Sequence, residues 1–194
     1  MLYELALFFH IVGVLVMFAG ITIETLALIE LGRTQSLEQA RLWLRGARVA
    51  GKLFPVATAL IFFAGAYMAF TVWHEAAWID MGLLTLLALA IAGPRLNGKR
   101  FARAAKTAFA ITSGAITPEL RQQLDDPILR ASIGMMAFAA LGVIFLMVVK
   151  PDWTGSLATM GVALALGWLT AALTRPRPVL THAPVAPAEE VHAR

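Results

Sequence analysis

The sequence predicts an all-α integral membrane protein, a five-helix transmembrane bundle. Hydrophobic residues make up 59% of the chain and charged residues only 14%, whereas soluble proteins carry about 25% charged residues. Five apolar runs approach the ~20 residues that an α-helix needs to cross about 30 Å of hydrocarbon. These runs predict spans at about 5–31, 53–73, 78–96, 128–149 and 153–173.

The basic residues predict how the chain threads the membrane. All but one of the 16 Lys and Arg residues lie in the first or third connection or after the fifth run, and the exception is Lys150. Short loops rich in Lys and Arg stay in the cytoplasm. We therefore expect a multi-pass protein of the bacterial inner membrane, with its N-terminus outside and its C-terminus in the cytoplasm.

Composition divides the chain into two parts. Residues 1–174 form the predicted transmembrane helical domain, and residues 175–194 form a cytoplasmic tail rich in Pro and Ala. Such a tail cannot bury enough apolar surface to fold, so we expect it to be disordered. The chain has no Cys, which excludes disulfides, thiolate metal ligands and a catalytic thiol.

The first connection carries a basic stripe. Its members recur every three or four positions, which places them on one face of a helix: Arg41, Arg45, Arg48 and Lys52. We expect this amphipathic helix to lie on the inner leaflet and to turn into the membrane near Pro55. Its cations would contact anionic lipid headgroups. The alternative is a specific binding site for an acidic lipid or a nucleotide.

The third connection predicts a second amphipathic surface helix, over about 98–112. Gly93-Pro94 bends or ends the third helix before it. Further on, Thr117 and Asp126 each precede a proline, which is the pattern of an N-cap followed by proline in the first helical turn. We therefore expect one helix to begin at each of these two residues.

The fifth helix carries a ridge of small residues at every fourth position: Gly155, Thr159, Ala163, Gly167 and Ala171. Small residues permit a close approach of two helix backbones in a membrane. The ridge predicts either packing within the chain or a homo-oligomer interface, and the pattern does not separate these alternatives.

Two ionisable residues lie inside the first span, where such residues are costly and commonly functional. They are His10 and Glu24. At 100° per residue, positions 10 and 24 point within about 40° of one another. Gly13, Met17 and Gly20 share that stripe. We expect this face to point into the bundle, because lipid tolerates neither ionisable side chain.

His10 is the candidate cofactor ligand. A neutral imidazole beside small residues suits haem iron, and Gly13 would leave room for the macrocycle. Met68 and Met160 are expected near the same depth as His10, so Met68 is the candidate second ligand. The alternatives are a structural hydrogen bond for the histidine and simple gap-filling for the methionines.

Glu24 also has two interpretations. A proton or cation relay would use a carboxylate that faces the bundle, and Glu24 is the candidate intramembrane acid. Helices two to five offer only Thr58, Ser132 and Thr170 as polar partners at that depth, with no second buried acid. The favoured interpretation is an ion pair at the inner interface with Arg48 or Lys52.

Three segments carry a resemblance: LALFFHIVGVLVMFAG at 5–20, FPVATALIFFAGAYMAF at 54–70 and GVIFLMVVKPD at 142–152. They resemble a bacterial family of predicted integral membrane proteins with a domain of unknown function. The histidine followed by small residues in the first helix is also similar to HemJ-type protoporphyrinogen oxidases and CopD-type copper-resistance proteins. The likeness to HemJ-type protoporphyrinogen oxidases implies b-type haem at His10.

The function expected from the sequence is a polytopic inner-membrane protein, most specifically a small redox protein that binds b-type haem. The alternative is a non-redox membrane protein without a cofactor, either a small transporter subunit or an assembly or scaffold partner. No hydrolase, kinase or thiol-catalysis motif is present. The net charge of +4 reflects the basic connections, and no aromatic basic platform indicates nucleic-acid binding.

Overall fold

The computed structural model describes residues 1–73, 76–112 and 115–174. Within these residues the chain is helical and contains no strand. The predicted disordered tail, 175–194, lies outside the described residues. The α-helices are α1 Leu2–Arg33, α2 Leu37–Met68, α3 Ala77–Gly93, α4 Lys99–Ala110, α5 Pro118–Leu124, α6 Pro127–Val149 and α7 Trp153–Leu173.

Two π-helical segments join or extend these helices. Ala69–Trp73 continues α2, and Pro94–Gly98 links α3 to α4 without a break. Five helical stretches, of which one joins α5 to α6, are long and apolar enough to cross a membrane, which confirms the coarse prediction: Leu2–Arg33, Leu37–Trp73, Ala77–Ala110, Pro118–Val149 and Trp153–Leu173.

The helices pack as two antiparallel hairpins, α1–α2 and α6–α7, with the α3–α4 helix between them. One end of the bundle carries the end of α1, the start of α2, and α4 and α5; we call it the basic end. The opposite end carries Trp73, Trp78 and Trp153, and we call it the tryptophan end. An α-helix of 32 residues is about 48 Å long, so α1 exceeds the ~30 Å hydrocarbon layer.

Neither Pro55 nor Pro94 interrupts the helical conformation of the chain. Helix α2 runs through Pro55 without interruption, so the expected turn into the membrane there does not occur. Pro94 opens a π-helical turn and does not end the third helix. A proline removes one backbone donor and crowds the preceding turn, yet the chain stays helical on both sides of Pro55 and of Pro94.

The largest apolar core of the described residues lies at the basic end. It is built from the end of α1, the start of α2, and α4, α5 and the start of α6; Leu31, Leu44, Leu120 and Leu124 are almost fully buried there. The predicted N-caps are confirmed: the Thr117 side chain accepts a hydrogen bond from the Leu120 amide, and Asp126 accepts from two amides of α6.

Arginines close the helix ends in this core. Arg121 donates to the carbonyl oxygens of Leu31 and Thr34, at the end of α1. Arg130 donates to the Thr174 carbonyl oxygen at the end of α7. Carbonyls in the last turn of a helix lack partners within the helix and carry its partial negative charge. These bonds therefore fasten helix ends that lie far apart in sequence.

The small-residue ridge of α7 packs against α6 of the same chain. A Cβ atom added to Gly167 would lie 2.6 Å from the Met135 Cα atom, and one added to Gly142 would lie 3.1 Å from the Ala163 Cβ atom. Ala163, Gly167 and Ala171 are buried, while Gly155 and Thr159 are half-buried. Three of the five ridge residues are thus used within the chain.

Candidate functional site

The predicted face of α1 points into the protein. Its five members are all buried: His10, Gly13, Met17, Gly20 and Glu24. Helix α2 covers the first four, and Glu24 lies where α1 meets the π-helical turn and α6. The helical periodicity therefore identified the correct face of α1, and the two ionisable residues at its ends lie in different surroundings.

His10 is held against α2. Its Nδ1 atom lies 3.1 Å from the Ile61 carbonyl oxygen, so Nδ1–H donates to that oxygen. A Cβ atom on Gly65 would lie 3.2 Å from the imidazole ring, so the absence of a side chain at this position makes room for His10. The imidazole joins α1 to α2 by one hydrogen bond and close packing.

The room expected for a macrocycle at Gly13 is occupied by protein. A Cβ atom there would lie 2.9 Å from both Ile61 Cγ1 and Leu60 Cβ, and 3.0 Å from the Ile61 amide nitrogen. Gly13 therefore serves the close approach of the two helices and leaves no slot for haem at this position. Met68 is buried in α2, one helical turn beyond the Gly65 contact with His10.

Glu24 is buried and is bound by an amide. Its side chain is 5% exposed, and the Asn97 Nδ2 atom donates to Glu24 Oε2 over 3.1 Å. The expected ion pair with Arg48 or Lys52 is not formed: both cations are exposed, and no ion pair of Glu24 occurs among the described residues. The rotation of α1 turns Glu24 inward, away from these cations.

Asn97 is the residue that the sequence did not reveal. It lies in the π-helical turn Pro94–Gly98 and is only 3% exposed. Its Oδ1 atom is buried and has no hydrogen-bond partner among the described residues. Such turns inside α-helices are frequent at functional sites. The Gly93-Pro94 pair was a sign of irregular helix, but it suggested a connection and not a buried polar side chain.

Two residues of α6 complete the polar cluster. Asn97 Nδ2 lies 3.4 Å from Met136 Sδ, and Ser132 Oγ lies 3.9 Å from the same sulfur. Ser132 is 2% exposed. We call Glu24, Asn97, Ser132 and Met136 the Glu24 cluster. It joins α1, the π-helical turn and α6, and its oxygen atoms come from a carboxylate, an amide and a hydroxyl.

The basic stripe of α2 divides into two roles. Arg41 is half-buried and donates to the carbonyl oxygens of Ala108 and Ile111 at the end of α4. This helix-capping geometry was not expected from the sequence, which assigned Arg41 to lipid headgroups. The other three cations of the stripe are exposed: Arg45, Arg48 and Lys52.

Comparison with known proteins adds no identity. No family model, no curated protein and no solved structure matches the chain. Within the described ranges, no three His, Asp or Glu side chains come together as a group that could hold a metal ion.

Proposed function

We propose that this protein is a small membrane transporter, or a transporter subunit, that takes up a proton or a small monovalent cation at Glu24. One observation carries the proposal. Among the residues that the structure describes, the buried carboxylate of Glu24 has no cationic partner, and the buried amide beside it has an oxygen without a donor. Ionisable groups placed this way inside a membrane protein commonly mark ion pathways.

The first step of the argument is the cost of burial. An isolated carboxylate in apolar surroundings is strongly unfavourable unless its charge is compensated. One hydrogen bond from Asn97 supplies only part of that compensation. A proton on Glu24 or a cation beside it supplies the rest, so the site is suited to exchange one for the other.

The second step is the chemistry of the available atoms. Carboxylate, amide and hydroxyl oxygens are ligands that hard cations prefer. Glu24 supplies the negative charge, and the partnerless Asn97 Oδ1 supplies a neutral oxygen. Ser132 Oγ belongs to the same cluster through Met136. A proton needs only the carboxylate, whereas a monovalent cation would also use the neutral oxygens.

The third step is access. Glu24 lies about 28 Å along α1 from Leu5 at 1.5 Å per residue, which is close to the thickness of the hydrocarbon layer. The cluster therefore lies near the basic end and next to the extramembrane core. On the positive-inside rule this end is cytoplasmic, in the inner membrane of a bacterium. An ion would thus exchange with the cytoplasm.

Haem binding at His10 is a second candidate, favoured by one observation. The Nδ1–H bond to the Ile61 carbonyl leaves Nε2 with a free lone pair, which is the arrangement of metal-ligating histidines. The filled space at Gly13 argues against a macrocycle on that side of the ring. Absorption spectra of protein made with a haem supply test it: a Soret band lost in His10→Ala supports haem, and a colourless wild type rejects it.

Carbodiimide labelling tests the proposed site directly. Hydrophobic carbodiimides modify carboxyl groups that carry a proton in apolar surroundings. We expect the wild-type protein to be labelled at Glu24, with labelling that falls as the pH rises or as a competing cation is added. Peptide mass analysis locates the adduct. Glu30→Gln is the matched control, because Glu30 lies on the same helix but pairs with Arg33 nearer the surface.

Proteoliposomes test the function. A cation gradient imposed across the membrane should change the internal pH, reported by a trapped dye, in wild-type protein and in Glu30→Gln. Glu24→Gln should abolish this change while the protein still folds, because glutamine keeps the shape of the side chain and removes its charge. Labelling of Glu24 that is insensitive to pH and cations, together with equal fluxes in both variants, would reject the proposal.

A further inference from the structure

A second feature lies at the basic end, separate from the Glu24 cluster. Helices α2 and α4 pack side by side and leave a cleft of about 360 Å³ between them. Its lining consists of three cations, one aromatic ring and two alanines: Arg45, Arg48, Lys106, Phe109, Ala102 and Ala105. The cations come from both helices.

Arg41, which does not line the cleft, helps to hold it in shape. Arg41 donates to the Ala108 and Ile111 carbonyl oxygens and so fastens α2 to the end of α4. The Arg41 guanidinium carbon also lies 5.6 Å from the centre of the Phe109 ring, and that of Arg45 lies 5.3 Å from the same centre. Stacking on an aromatic face orients a guanidinium. Arg45 is thus placed before any ligand arrives.

The positive charge of the cleft is not balanced within the described residues. The ion pairs among the described residues are Met1 with Glu4, Arg33 with Glu30, and Arg100 with Asp126. None of them involves a cation of the cleft. The described residues that line the cleft include no acidic side chain. Two guanidinium groups and an ammonium group that converge on one space are suited to an anion with several oxygens, above all a phosphate.

We propose that the cleft between α2 and α4 is a phosphate-binding site for the headgroup of an anionic phospholipid. Arg48 lies about 7.5 Å along α2 from Leu53, where the apolar part of the helix begins, which is the level of lipid headgroups. Arg45 and Arg48 would hold the phosphate oxygens, and Lys106 would approach from α4. A soluble phosphate could supply the same chemistry, and the experiment separates the two sources.

The experiment compares two charge-matched double variants of the full chain in neutral detergent. The cleft variant is Arg48→Gln with Lys106→Gln, and the control is Lys99→Gln with Arg103→Gln. All four side chains are exposed at the same end of the bundle, but only the first pair lines the cleft. Thermal unfolding of both variants confirms that they fold. Native mass spectrometry then counts bound phosphatidylglycerol against phosphatidylcholine.

Wild type and control should each hold one phosphatidylglycerol at least about tenfold more tightly than phosphatidylcholine, and the cleft variant should lose that preference. A third variant, Phe109→Leu, should weaken binding to a smaller extent by releasing Arg45. Retention of the lipid against added inorganic phosphate and ATP supports the lipid source, whereas displacement by either supports a soluble phosphate at the same cleft. An equal loss in cleft and control variants, or no preference in wild type, would overturn the proposal.

Discussion

The region around His10 and the region around Glu24 each bury an ionisable side chain of α1, but they surround it differently. Both residues are buried on one face of α1. His10 contacts the backbone of α2. Its imidazole donates to the Ile61 carbonyl oxygen and occupies the space left by the missing side chain of Gly65. Glu24 accepts a hydrogen bond from the side-chain amide of Asn97, on a π-helical turn. The Oδ1 atom of that amide has no hydrogen-bond partner among the described residues.

The difference teaches that an ionisable residue inside a span is not by itself a functional site. The partner helix decides whether the group is satisfied or left open to a ligand. Around His10, glycines bring α1 and α2 so close that there is little room for anything else. Around Glu24, the wider π-helical turn Pro94–Gly98 brings in the Asn97 side chain, whose oxygen has no donor in the described part of the chain.

The largest expected effect tests whether the His10 region is closed. Gly13→Ala should lower the free energy of unfolding by about 3 kcal/mol, the upper part of the range for overpacking, because its Cβ would meet the backbone of α2. Unfolding in mixed micelles, followed by circular dichroism, measures it. Gly51→Ala, with nothing within 4 Å, should instead gain about 0.5–1 kcal/mol. Equal effects at the two positions would contradict the closed packing.

The next effect tests the bond that defines the Glu24 cluster. Asn97→Leu should lower the free energy of unfolding by about 2 kcal/mol, because it leaves a buried carboxylate without its donor. In a Glu24→Gln background, Asn97→Leu should lower the free energy of unfolding by less, because leaving the neutral glutamine amide unpaired is less unfavourable than leaving a carboxylate unpaired. The same micelle assay supplies both values. A double-variant cycle without coupling would mean that the two side chains do not interact.

A smaller effect is expected from the His10 hydrogen bond. His10→Phe keeps a ring against Gly65 and removes the donor to the Ile61 carbonyl, so the free energy of unfolding should fall by about 1 kcal/mol. The same variant should leave the carbodiimide labelling of Glu24 unchanged. A loss of labelling would show that the two regions are coupled and would weaken the contrast between them.

The smallest effect is expected at the tryptophan end. The Lys150 ammonium nitrogen lies 3.8 Å from the centre of the Trp73 ring, and the Trp73 and Trp78 rings pack edge to face. Lys150→Ala should lower the free energy of unfolding by about 0.5 kcal/mol, the value of an exposed cation–π contact. Lys150→Arg should retain the cation–π contact and therefore the wild-type stability. Thermal melts of the two variants measure the difference, and identical melts would show that the contact adds nothing.

Part of the candidate site was predictable and part was not. The helical period placed His10 and Glu24 on the buried face of α1, because that period is a local property of the sequence. Asn97 was missed because a proline and a glycine beside it indicate a connection, whereas packing keeps that stretch helical. Arg41 was assigned to lipid because basic periodicity alone does not distinguish a capping guanidinium from an exposed one.

By itself the sequence determined five apolar helices, the two unlike ends of the bundle and the face of α1 that turns inward. These follow from composition and from spacing along single helices, which neighbouring residues encode directly. Only the tertiary structure decided what each face meets: α2 backbone at Gly13, Asn97 at Glu24, and α4 carbonyls at Arg41. Such contacts depend on the rotation and register of one helix against another, which are set by close packing across distant parts of the chain.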